Sequence, residues 1–336
     1  MGTKSATPTV VPKPKRWSVA SIFLFVCLLG LGIWYARSQR AQSMVSGVVS
    51  SPADVLENQS GRTNILLLGV GGEGHSGGDL TDSMLFVSLG LSGQPAKMIP
   101  IPRDIWVDSL AAKINTAYHY GNEKGEGEGR SMVKQAVTET LGVPVHYVLV
   151  LDFQGFVKAI DAVGGIDVAV ERTFDDYKYP IPGKETAEPE SARYEHVHFD
   201  QGLTHMDGAT ALKFARSRHA LGDEGTDFAR ASRQEKIILA FRQKILSTQT
   251  LFDAQAIDDL KSSLTSSIDT DIGAREQASF FKVFLGLGNL DNVESLSLTA
   301  YLQNPKITNK YGGQWVLIPS PSIEALQSYV QETLAK

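Results

Sequence analysis

The chain has few of the residues that common catalytic and metal-binding signatures require. Its only cysteine is Cys27, so the part that follows has no disulfide, no thiol nucleophile and no cysteine metal site. No Ser-His-Asp order stands out, and the Gly-Lys-Ser/Thr of a nucleotide P-loop is absent. The seven histidines show no metal-ligand spacing, and we expect His196 and His198 to be solvated. These absences argue against a serine hydrolase, a P-loop NTPase and a zinc-finger protein.

Positive charge is scarce beyond the first 40 residues. Those residues hold six Lys/Arg and no acidic residue, out of 32 Lys/Arg and 37 Asp/Glu in the whole chain. Residues 41–336 therefore carry 26 basic and 37 acidic side chains, a net charge of −11. An acidic domain is a poor general binder of nucleic acid, so we expect no nucleic-acid partner.

The chain has one long apolar run, at residues 17–36, which is uncharged. Twenty helical residues, at about 1.5 Å each, span the roughly 30 Å core of a bilayer. Four basic residues precede the run and two follow it closely, which predicts a single-pass helix in the cell membrane with residues 1–16 in the cytoplasm. A cleaved signal peptide is the alternative, but the run is long for one and residues 37–40 make a poor cleavage site.

The remaining chain is predicted to be a polar stalk, residues 37–60, followed by one extracytoplasmic domain, residues 61–336. Strand patterns and helix patterns alternate along this domain, which is typical of a layered α/β fold. The predicted strands are residues 63–70, 83–91, 96–107, 146–153, 166–170, 293–298 and 314–318. The predicted helices are residues 113–121, 130–142, 154–163, 207–215, 227–246, 272–287 and 322–334, and residues 173–201 are predicted to be a long loop or hairpin.

The strongest local signal is a cluster of arginines. Four of them lie within eighteen residues: Arg216, Arg218, Arg230 and Arg233. The first two point the same way in an extended segment, while Arg230, Arg233 and Gln234 share one face of a helix that Asp227 is placed to cap. A helix N-terminus with guanidinium groups is a good receptor for phosphate or pyrophosphate. The alternative is a solvated basic helix end, neutralised by neighbouring acidic residues.

Three weaker signals precede this cluster. Asp79 and Asp82 follow a glycine-rich loop and either cap turns or ligate a hard cation such as Mg²⁺. Arg103 lies at a strand end, where it binds a ligand or simply pairs with Asp104. Lys113 and Asn115 begin a segment that is either a further part of the site or an ordinary amphipathic helix.

The order of these motifs is more specific than any one of them. It runs Asp82-Ser-Met, Ile-Pro-Arg103-Asp104, Lys113-Ile-Asn115 with Tyr118, Met206-Asp207-Gly208, and Arg216-x-Arg218 followed by Asp227-x-x-Arg230-x-x-Arg233-Gln234. Over residues 60–250 this order resembles the LytR–CpsA–Psr family, and the predicted membrane anchor agrees with that resemblance.

The resemblance implies a fold and a function. It implies a three-layer α/β/α sandwich with a central mixed sheet, preceded by one N-terminal transmembrane helix, and with an apolar groove for a lipid. It implies an envelope phosphotransferase that moves a glycopolymer phosphate from a polyprenyl-pyrophosphate carrier to peptidoglycan or another wall acceptor.

The resemblance also assigns roles to residues. It implies that Arg103, Arg216, Arg218 and Arg230 are catalytic and hold the pyrophosphate. It implies that Lys113, Asn115, Arg233 and Gln234 bind substrate. It implies that Asp82 ligates Mg²⁺ or Mn²⁺. The chain departs from the family pattern at Gly71 and Leu80, where many members have Asp and Arg, and Asp79 is expected to supply the missing carboxylate. This departure leaves two alternatives open: a polyprenyl pyrophosphate hydrolase, and a non-catalytic binder of lipid-linked anionic polymer.

Overall fold

The computed structural model describes most of the chain beyond residue 49. Its described residues are 50–72, 77–184, 186–217, 219–225, 267–286, 294–306 and 309–335, with single positions and pairs between 229 and 247. The predicted membrane span at residues 17–36 lies outside them. Within these described ranges, no helix has both the length and the apolar character needed to cross a membrane.

Strands and helices alternate as the sequence predicts. The strands are β1 (Arg62–Val70), β2 (Thr81–Gly90), β3 (Lys97–Pro100), β4 (Trp106–Val107), β5 (Ala112–Lys113), β6 (Tyr147–Asp152), β7 (Ile166–Val170), β8 (Phe174–Pro180), β9 (Tyr194–Phe199), β10 (Gly202–Met206), β11 (Ile268–Thr270), β12 (Glu294–Ser295), β13 (Leu302–Gln303) and β14 (Ile318–Pro319). The α-helices are α1 (Pro52–Val55), α2 (Ala117–Asn122), α3 (Glu128–Leu141), α4 (Phe153–Ala162), α5 (Gly208–Arg216), α6 (Ala274–Gly286) and α7 (Ile323–Ala335).

A six-stranded mixed sheet forms the centre of the molecule, in the order β11-β6-β1-β2-β3-β12. Strand β1 pairs in parallel with β6 and antiparallel with β2. All nine residues of β1 are buried, because its continuous apolar sequence has packing partners on both faces. The predicted α/β fold with a central mixed sheet is therefore confirmed.

Each face of the sheet has its own hydrophobic core. Alternate residues of a strand point to opposite faces, so Ile65 and Leu67 join one core while Leu66 and Leu68 join the other. The first core includes side chains of α4, α5 and α6, and the second includes side chains of α2, α3 and α7. Helices consequently lie on both faces of the sheet.

One edge of the sheet collects the segments that carry the predicted site. Val70, at the end of β1, pairs with Thr81 at the start of β2 and with Asp152 at the end of β6. The amide of Ile101, just after β3, donates to the carbonyl of Met84 in β2. The loops after β1, β3 and β6 and the start of β2 therefore meet at one edge, which we call the site edge.

Several elements differ from their sequence predictions. The strand predicted at 96–107 divides into β3 and β4, because the chain turns at Pro102 and the amide of Ile105 donates to its carbonyl. The helix predicted at 113–121 starts with the 3₁₀ turn Ile114–Thr116 before α2. Residues 173–201 form the β8–β9 hairpin, one of the two predicted alternatives, but β10, which the sequence did not predict, pairs with β7. The strand predicted at 314–318 is wrong over most of its length, because the strand there is the short β14.

Candidate functional site

Asp82 and Arg103 form an exposed ion pair at the site edge. The guanidinium Nη1 of Arg103 lies 2.5 Å from Oδ1 of Asp82, and the two side chains are 45% and 53% exposed. Asp82 is the second residue of β2, and Arg103 follows the end of β3, the strand beside it. The sheet register thus brings together a predicted catalytic residue and a predicted metal ligand that are 21 positions apart.

Asp104 and Lys113 extend this pair into a cluster of four charged side chains. Nζ of Lys113 donates to Oδ1 of Asp104 at 2.7 Å, and Nε of Arg103 lies 3.6 Å from Oδ2 of the same carboxylate. Lys113 belongs to β5, which pairs with β4 and returns the chain to this edge. The Arg103–Asp104 pair was one of the alternatives from sequence, and the structure shows it as part of a larger cluster.

Asn115 lies close to the cluster and is buried. Its backbone amide donates to the carbonyl of Arg103 at 3.3 Å, and its carbonyl accepts from Oγ1 of Thr81 at 3.1 Å. Among the residues that the structure describes, its side-chain Oδ1 finds no hydrogen-bond donor. The backbone of Asn115 thus ties Arg103 to the start of β2, while its side-chain oxygen keeps an unused acceptor.

Arg216 reaches the same edge from the end of α5. Its guanidinium lies 4.1 Å from the ring centroid of Phe153, the first residue of α4 after β6, and 5.9 Å from that of the buried Tyr179. Helices α4 and α5 pack closely, since a Cβ at Gly208 would come within 2.1 Å of the carbonyl oxygen of Val157. This contact fixes Arg216 over an aromatic ring, where it is half-buried.

Arg233 is buried, unlike the exposed Arg103. It is 2% exposed, and its guanidinium donates to the backbone carbonyls of Phe214, Ser217 and Glu224 and to the Glu224 carboxylate. The Ser217 carbonyl lies directly between Arg216 and Arg218 in the chain. The contacts of Arg233 therefore hold the backbone of the arginine motif in place.

Three predicted site residues lie outside the described part of the structure: Arg218, Arg230 and Gln234. The described positions on either side of Arg230, among them Ala229 and Ser232, are helical, in line with the helix predicted at 227–246.

Asp79 and Asp82 have different partners. The carboxylate oxygens of Asp79 lie 2.8 and 2.9 Å from Nδ1 of His119 in α2, and this contact raises the pKa of His119. Across the described ranges, one group of at least three His, Cys, Asp or Glu side chains brings its ligand atoms within 4.8 Å of one another, and it contains neither aspartate. The oxygen chemistry of Asp82 suits a hard cation, which needs only one or two protein carboxylates when phosphate and water complete its coordination.

The loop at Gly71 passes directly against Asp152. Gly72 has a φ of +80°, and a Cβ there would come within 3.0 Å of Cβ of Asp152. Oδ1 of Asp152 accepts from the amide of Gly155 at 2.6 Å and so caps α4. The residue next to Gly71, where the resemblance leads one to expect an aspartate, is therefore packed tightly against the end of β6.

A cavity of about 350 Å³ lies beside Arg233. Its lining mixes apolar and charged side chains: Val170, Glu171, Arg172, Phe174, Phe214, Glu224, Ala229, Ser232, Arg233 and Lys236. The apolar groove that the resemblance implies stays a prediction, because the cavity's lining is partly charged and much of the chain at 226–266 is outside the described residues.

Several contacts in the site were not predicted from the sequence. They are the Asp104–Lys113 bond, the Asp79–His119 pair and the two aromatic rings around Arg216. Phe153 is the last residue of a predicted strand, so an aromatic residue at a strand end was the available signal. Nothing in the sequence indicated that Tyr179 of the β8–β9 hairpin reaches Arg216.

Known proteins share both the sequence pattern and the fold. The LytR_cpsA_psr family model matches residues 34–331. The polyisoprenyl-teichoic acid–peptidoglycan teichoic acid transferase TagU of Oceanobacillus iheyensis is 29% identical over 251 residues, which are 73% of this chain and 69% of that protein. The transferase TagV of Bacillus subtilis is 29% identical over 225 residues, 65% of this chain and 51% of that protein.

The fold comparison agrees with the sequence comparison. The crystal structure of Bacillus subtilis TagV superposes with a TM-score of 0.53 at 25% identity, covering 83% of this chain and 99% of that one. Because the family model matches far more than half of the residues, and the motif order and the mixed sheet agree with it, the chain belongs to the LytR–CpsA–Psr family.

Proposed function

We propose that the protein is an envelope phosphotransferase. It moves a glycopolymer phosphate from a polyprenyl-pyrophosphate carrier to peptidoglycan or another cell-wall acceptor. The observation that carries this proposal is the convergence of Asp82, Arg103 and Arg216 at one edge of the sheet, where each reaches the edge from a different strand or helix end. The named relatives, which are teichoic acid transferases, support the same chemistry.

The exposed ion pairs of this edge suit a pyrophosphate. An exposed pair between Arg103 and Asp82 is worth no more than about 1 kcal/mol, so a phosphate oxygen can replace the carboxylate at small cost. Arg216, held over Phe153, offers a second guanidinium that is already oriented. Arg218 and Arg230, from the same motif, are proposed to complete the receptor.

Transfer needs charge neutralisation more than covalent chemistry. The acceptor hydroxyl attacks the phosphorus next to the sugar, the bond from that phosphorus to the bridging oxygen breaks, and polyprenyl phosphate leaves. Arginines that contact the departing phosphate stabilise the charge that develops there. Lys113, through Asp104, keeps Arg103 at the site edge.

A divalent cation, Mg²⁺ or Mn²⁺, is part of the proposal. Asp82 would hold it, and Asp79 would reach it only by giving up His119. When bound, the cation would neutralise pyrophosphate oxygens. Because the described residues supply few carboxylates, we expect a weak site that fills together with pyrophosphate.

The proton of the acceptor hydroxyl needs a base. Asp82 has the proposed metal role, and our candidate for the base is Asp104. Its carboxylate lies between Arg103 and Lys113, next to the proposed position of the pyrophosphate.

We also propose that residues 17–36 anchor the protein in the cell membrane, with residues 1–16 in the cytoplasm and the domain outside, where the wall acceptor is found. The charge difference across the apolar run supports this orientation. Protease added to intact spheroplasts should digest the domain and leave a tag at residue 1 intact, whereas the opposite pattern would mean that the orientation is reversed.

The function is tested by a transfer assay with purified full-length protein, polyprenyl-pyrophosphate-linked glycan and peptidoglycan. We expect glycan on peptidoglycan in the wild type, and a fall of about 10²–10³-fold in rate for Arg216→Lys, since lysine cannot provide a bidentate fork. The matched control is Arg193→Lys, which alters an arginine that pairs with Glu188 on the β8–β9 hairpin.

The two alternatives give different products. A hydrolase releases the glycan phosphate at the same rate with and without peptidoglycan. A non-catalytic binder retains the lipid-linked polymer in EDTA and shows no turnover with any cation. Either result, or full activity in Arg216→Lys, would contradict the proposal.

A further inference from the structure

A cluster of three side chains on the β8–β9 hairpin has no part in the chemistry above. Oδ1 of Asp175 lies 2.7 Å from Nε2 of His196 and 2.8 Å from Nδ1 of His198. Among the described residues, this is the group of His and Asp side chains whose ligand atoms all fall within 4.8 Å of one another. The Asp175 side chain is 30% exposed and the two imidazoles are 47% and 43% exposed, so an ion in solution can reach them.

The strand geometry explains why these residues meet. His196 and His198 are two apart in β9, so both side chains project from one face of the hairpin. Asp175 of β8 is the cross-strand partner of His198. The His-x-His spacing, which the sequence alone gave no reason to treat as a ligand pair, becomes a converging set when β8 pairs with β9.

Neighbouring side chains orient both imidazoles. Nε2 of His198, the nitrogen that faces away from Asp175, lies 3.2 Å from Oδ1 of Asp200. A metal-binding histidine usually donates its second N–H to such a carboxylate, which fixes the tautomer and ring orientation. The ring of Tyr177 stacks on His196 with centroids 4.3 Å apart and planes inclined by 5°, so the second ring is held as well.

We propose that Asp175, His196 and His198 bind one divalent transition-metal ion of the Zn²⁺ class. Two imidazole nitrogens and one carboxylate oxygen are three of the four ligands of a tetrahedral site, and water supplies the fourth. Nitrogen ligands favour Zn²⁺, Ni²⁺ and Cu²⁺ over Mg²⁺, which prefers oxygen. This site is therefore chemically distinct from the proposed cation position at Asp82.

The bound ion would affect the arginine motif indirectly, through the hydrogen bonds that join β8 to the segment after Arg216. The carbonyl of Asp175 accepts from the amide of Leu221 at 3.2 Å. The next residue, Asp176, accepts from Oγ of Ser217 at 2.6 Å and from the amide of His219 at 3.1 Å. A metal that joins β8 to β9 would thus stabilise the strand that Ser217, His219 and Leu221 contact, without contacting the substrate.

The test is a Zn²⁺ titration of metal-free, full-length protein without a polyhistidine tag. Isothermal titration calorimetry should show one Zn²⁺ per chain, and a large excess of Mg²⁺ should leave the binding unchanged. The ion should also raise the unfolding temperature, because it binds the folded hairpin and not the unfolded chain. Absence of stoichiometric Zn²⁺ binding would overturn the proposal.

Variants locate the binding. His198→Ala and His196→Ala should each weaken it by more than about tenfold, and Asp200→Asn, which removes an orienting carboxylate, by about 10–100-fold. The matched control is His205→Ala, because His205 is also exposed and has its own aspartate, Asp167, at 2.8 Å. An unaltered affinity in His198→Ala, or an equal loss in His205→Ala, would show that the ion binds surface histidines without this site.

The variants remain informative if the hairpin is sensitive to mutation. Circular dichroism and the unfolding temperature of each metal-free variant show whether it folds. Should His198→Ala fail to fold, Asp200→Asn and His196→Gln give the same comparison, since both preserve the shape of the hairpin. Wild-type affinity in both of those variants would overturn the proposal.

Discussion

The two edges of the central sheet use the same residue types in opposite ways. At the site edge, Arg103 is 45% exposed and is paired with the carboxylates of Asp82 and Asp104. At the opposite edge, where β1 and β3 begin, Arg62 is 8% exposed. Its guanidinium donates to Oγ and the carbonyl of Ser88 and to the carbonyl of Pro95.

The two arginines differ in the free energy that is lost when each breaks its present hydrogen bonds. When a buried guanidinium moves away from backbone carbonyls, those acceptors lose their hydrogen bonds, which costs about 1–3 kcal/mol for each. An exposed guanidinium that leaves a carboxylate exposes both groups to water at almost no cost. Arg62 is thereby fixed in the fold, whereas Arg103 is available to an incoming anion.

Other residues follow the same division. At the opposite edge, Nζ of Lys97 donates to the carbonyl of Thr333, and Asn64 donates to His146 and to the carbonyl of Pro144. At the site edge, Lys113 meets Asp104, and Asp79 meets His119. Of the residues at these two edges, those bonded mainly to the backbone stabilise the domain, and the exposed side-chain pairs at the site edge are those we assign to ligand binding.

Of the substitutions considered, one at Asp82 should have the largest effect on the transfer rate. We expect Asp82→Ala to abolish transfer and EDTA to have the same result in the wild type, because the proposed cation loses its main ligand in both cases. Stability should stay within about 0.5 kcal/mol, since the side chain is exposed. Transfer assays and urea unfolding measure the two quantities.

The control for this change is Asp167→Ala, an exposed carboxylate beside His205 that should keep full activity. Asp79→Ala should reduce activity only in part, since this carboxylate has His119 as its partner. Full activity in Asp82→Ala, or of the wild type in EDTA, would show that Asp82 does not hold a cation needed for transfer.

A substitution at Arg233 tests whether an arginine of the predicted motif stabilises the fold instead of binding the ligand. We expect Arg233→Met to lower the free energy of unfolding by about 3–5 kcal/mol, because the half-buried Glu224 carboxylate and three backbone carbonyls lose their bonds to the guanidinium. The measurement is urea unfolding of the full-length protein. Unchanged stability with lost activity would assign Arg233 directly to the substrate, as the sequence predicted.

Exchanging Arg103 and Arg62 for lysine compares the two edges directly. Arg103→Lys should slow transfer by about 10²–10³-fold without changing stability, because the bidentate contact is lost only in the complex. Arg62→Lys should lower stability by about 1–3 kcal/mol while each folded molecule keeps its activity. If both variants lost the same quantity, the distinction between the edges would be wrong.

The sequence predicted much of the fold because its patterns are local. The apolar run of β1 and the alternating strands and helices require no knowledge of distant contacts, and both were confirmed. The division of residues 96–107 into two strands was missed, because the turn at Pro102 depends on how that segment returns toward Lys113.

The site was predicted less completely, for a physical reason. Motif order identified Arg103, Lys113 and Arg216, but it could not show which carboxylate each one meets. Two arginines of one motif, Arg216 and Arg233, look equivalent in sequence, yet the first is half-buried and the second is fully buried and bonded to backbone carbonyls. Burial depends on the packing of α5 against its neighbours, which no spacing in the sequence specifies.

The smallest effect concerns His146, at the edge opposite the site. Its Nδ1 accepts from the amide of Asn64 at 2.8 Å, which requires the neutral ring, and burial together with nearby Lys134 lowers the pKa of His146. The unfolded chain therefore binds the proton more readily than the folded one. The stabilising contact is complete above the ordinary pKa of about 6.5 and is lost as pH falls through the lower pKa of the folded state.

We expect wild type and His146→Gln to differ in stability most at pH 7.5 and least at pH 5, because only the wild type loses this contact on acidification. Urea unfolding at both pH values measures the gap. His119 and His198, whose pKa values are raised, oppose the trend in both proteins alike and cancel in the difference. A gap that stays constant with pH would show that His146 takes up its proton in the folded state. Its hydrogen bond with Asn64 would then cost as little to break as the ion pairs at the site edge. The distinction between stabilising contacts at one edge and replaceable contacts at the other would be wrong for His146.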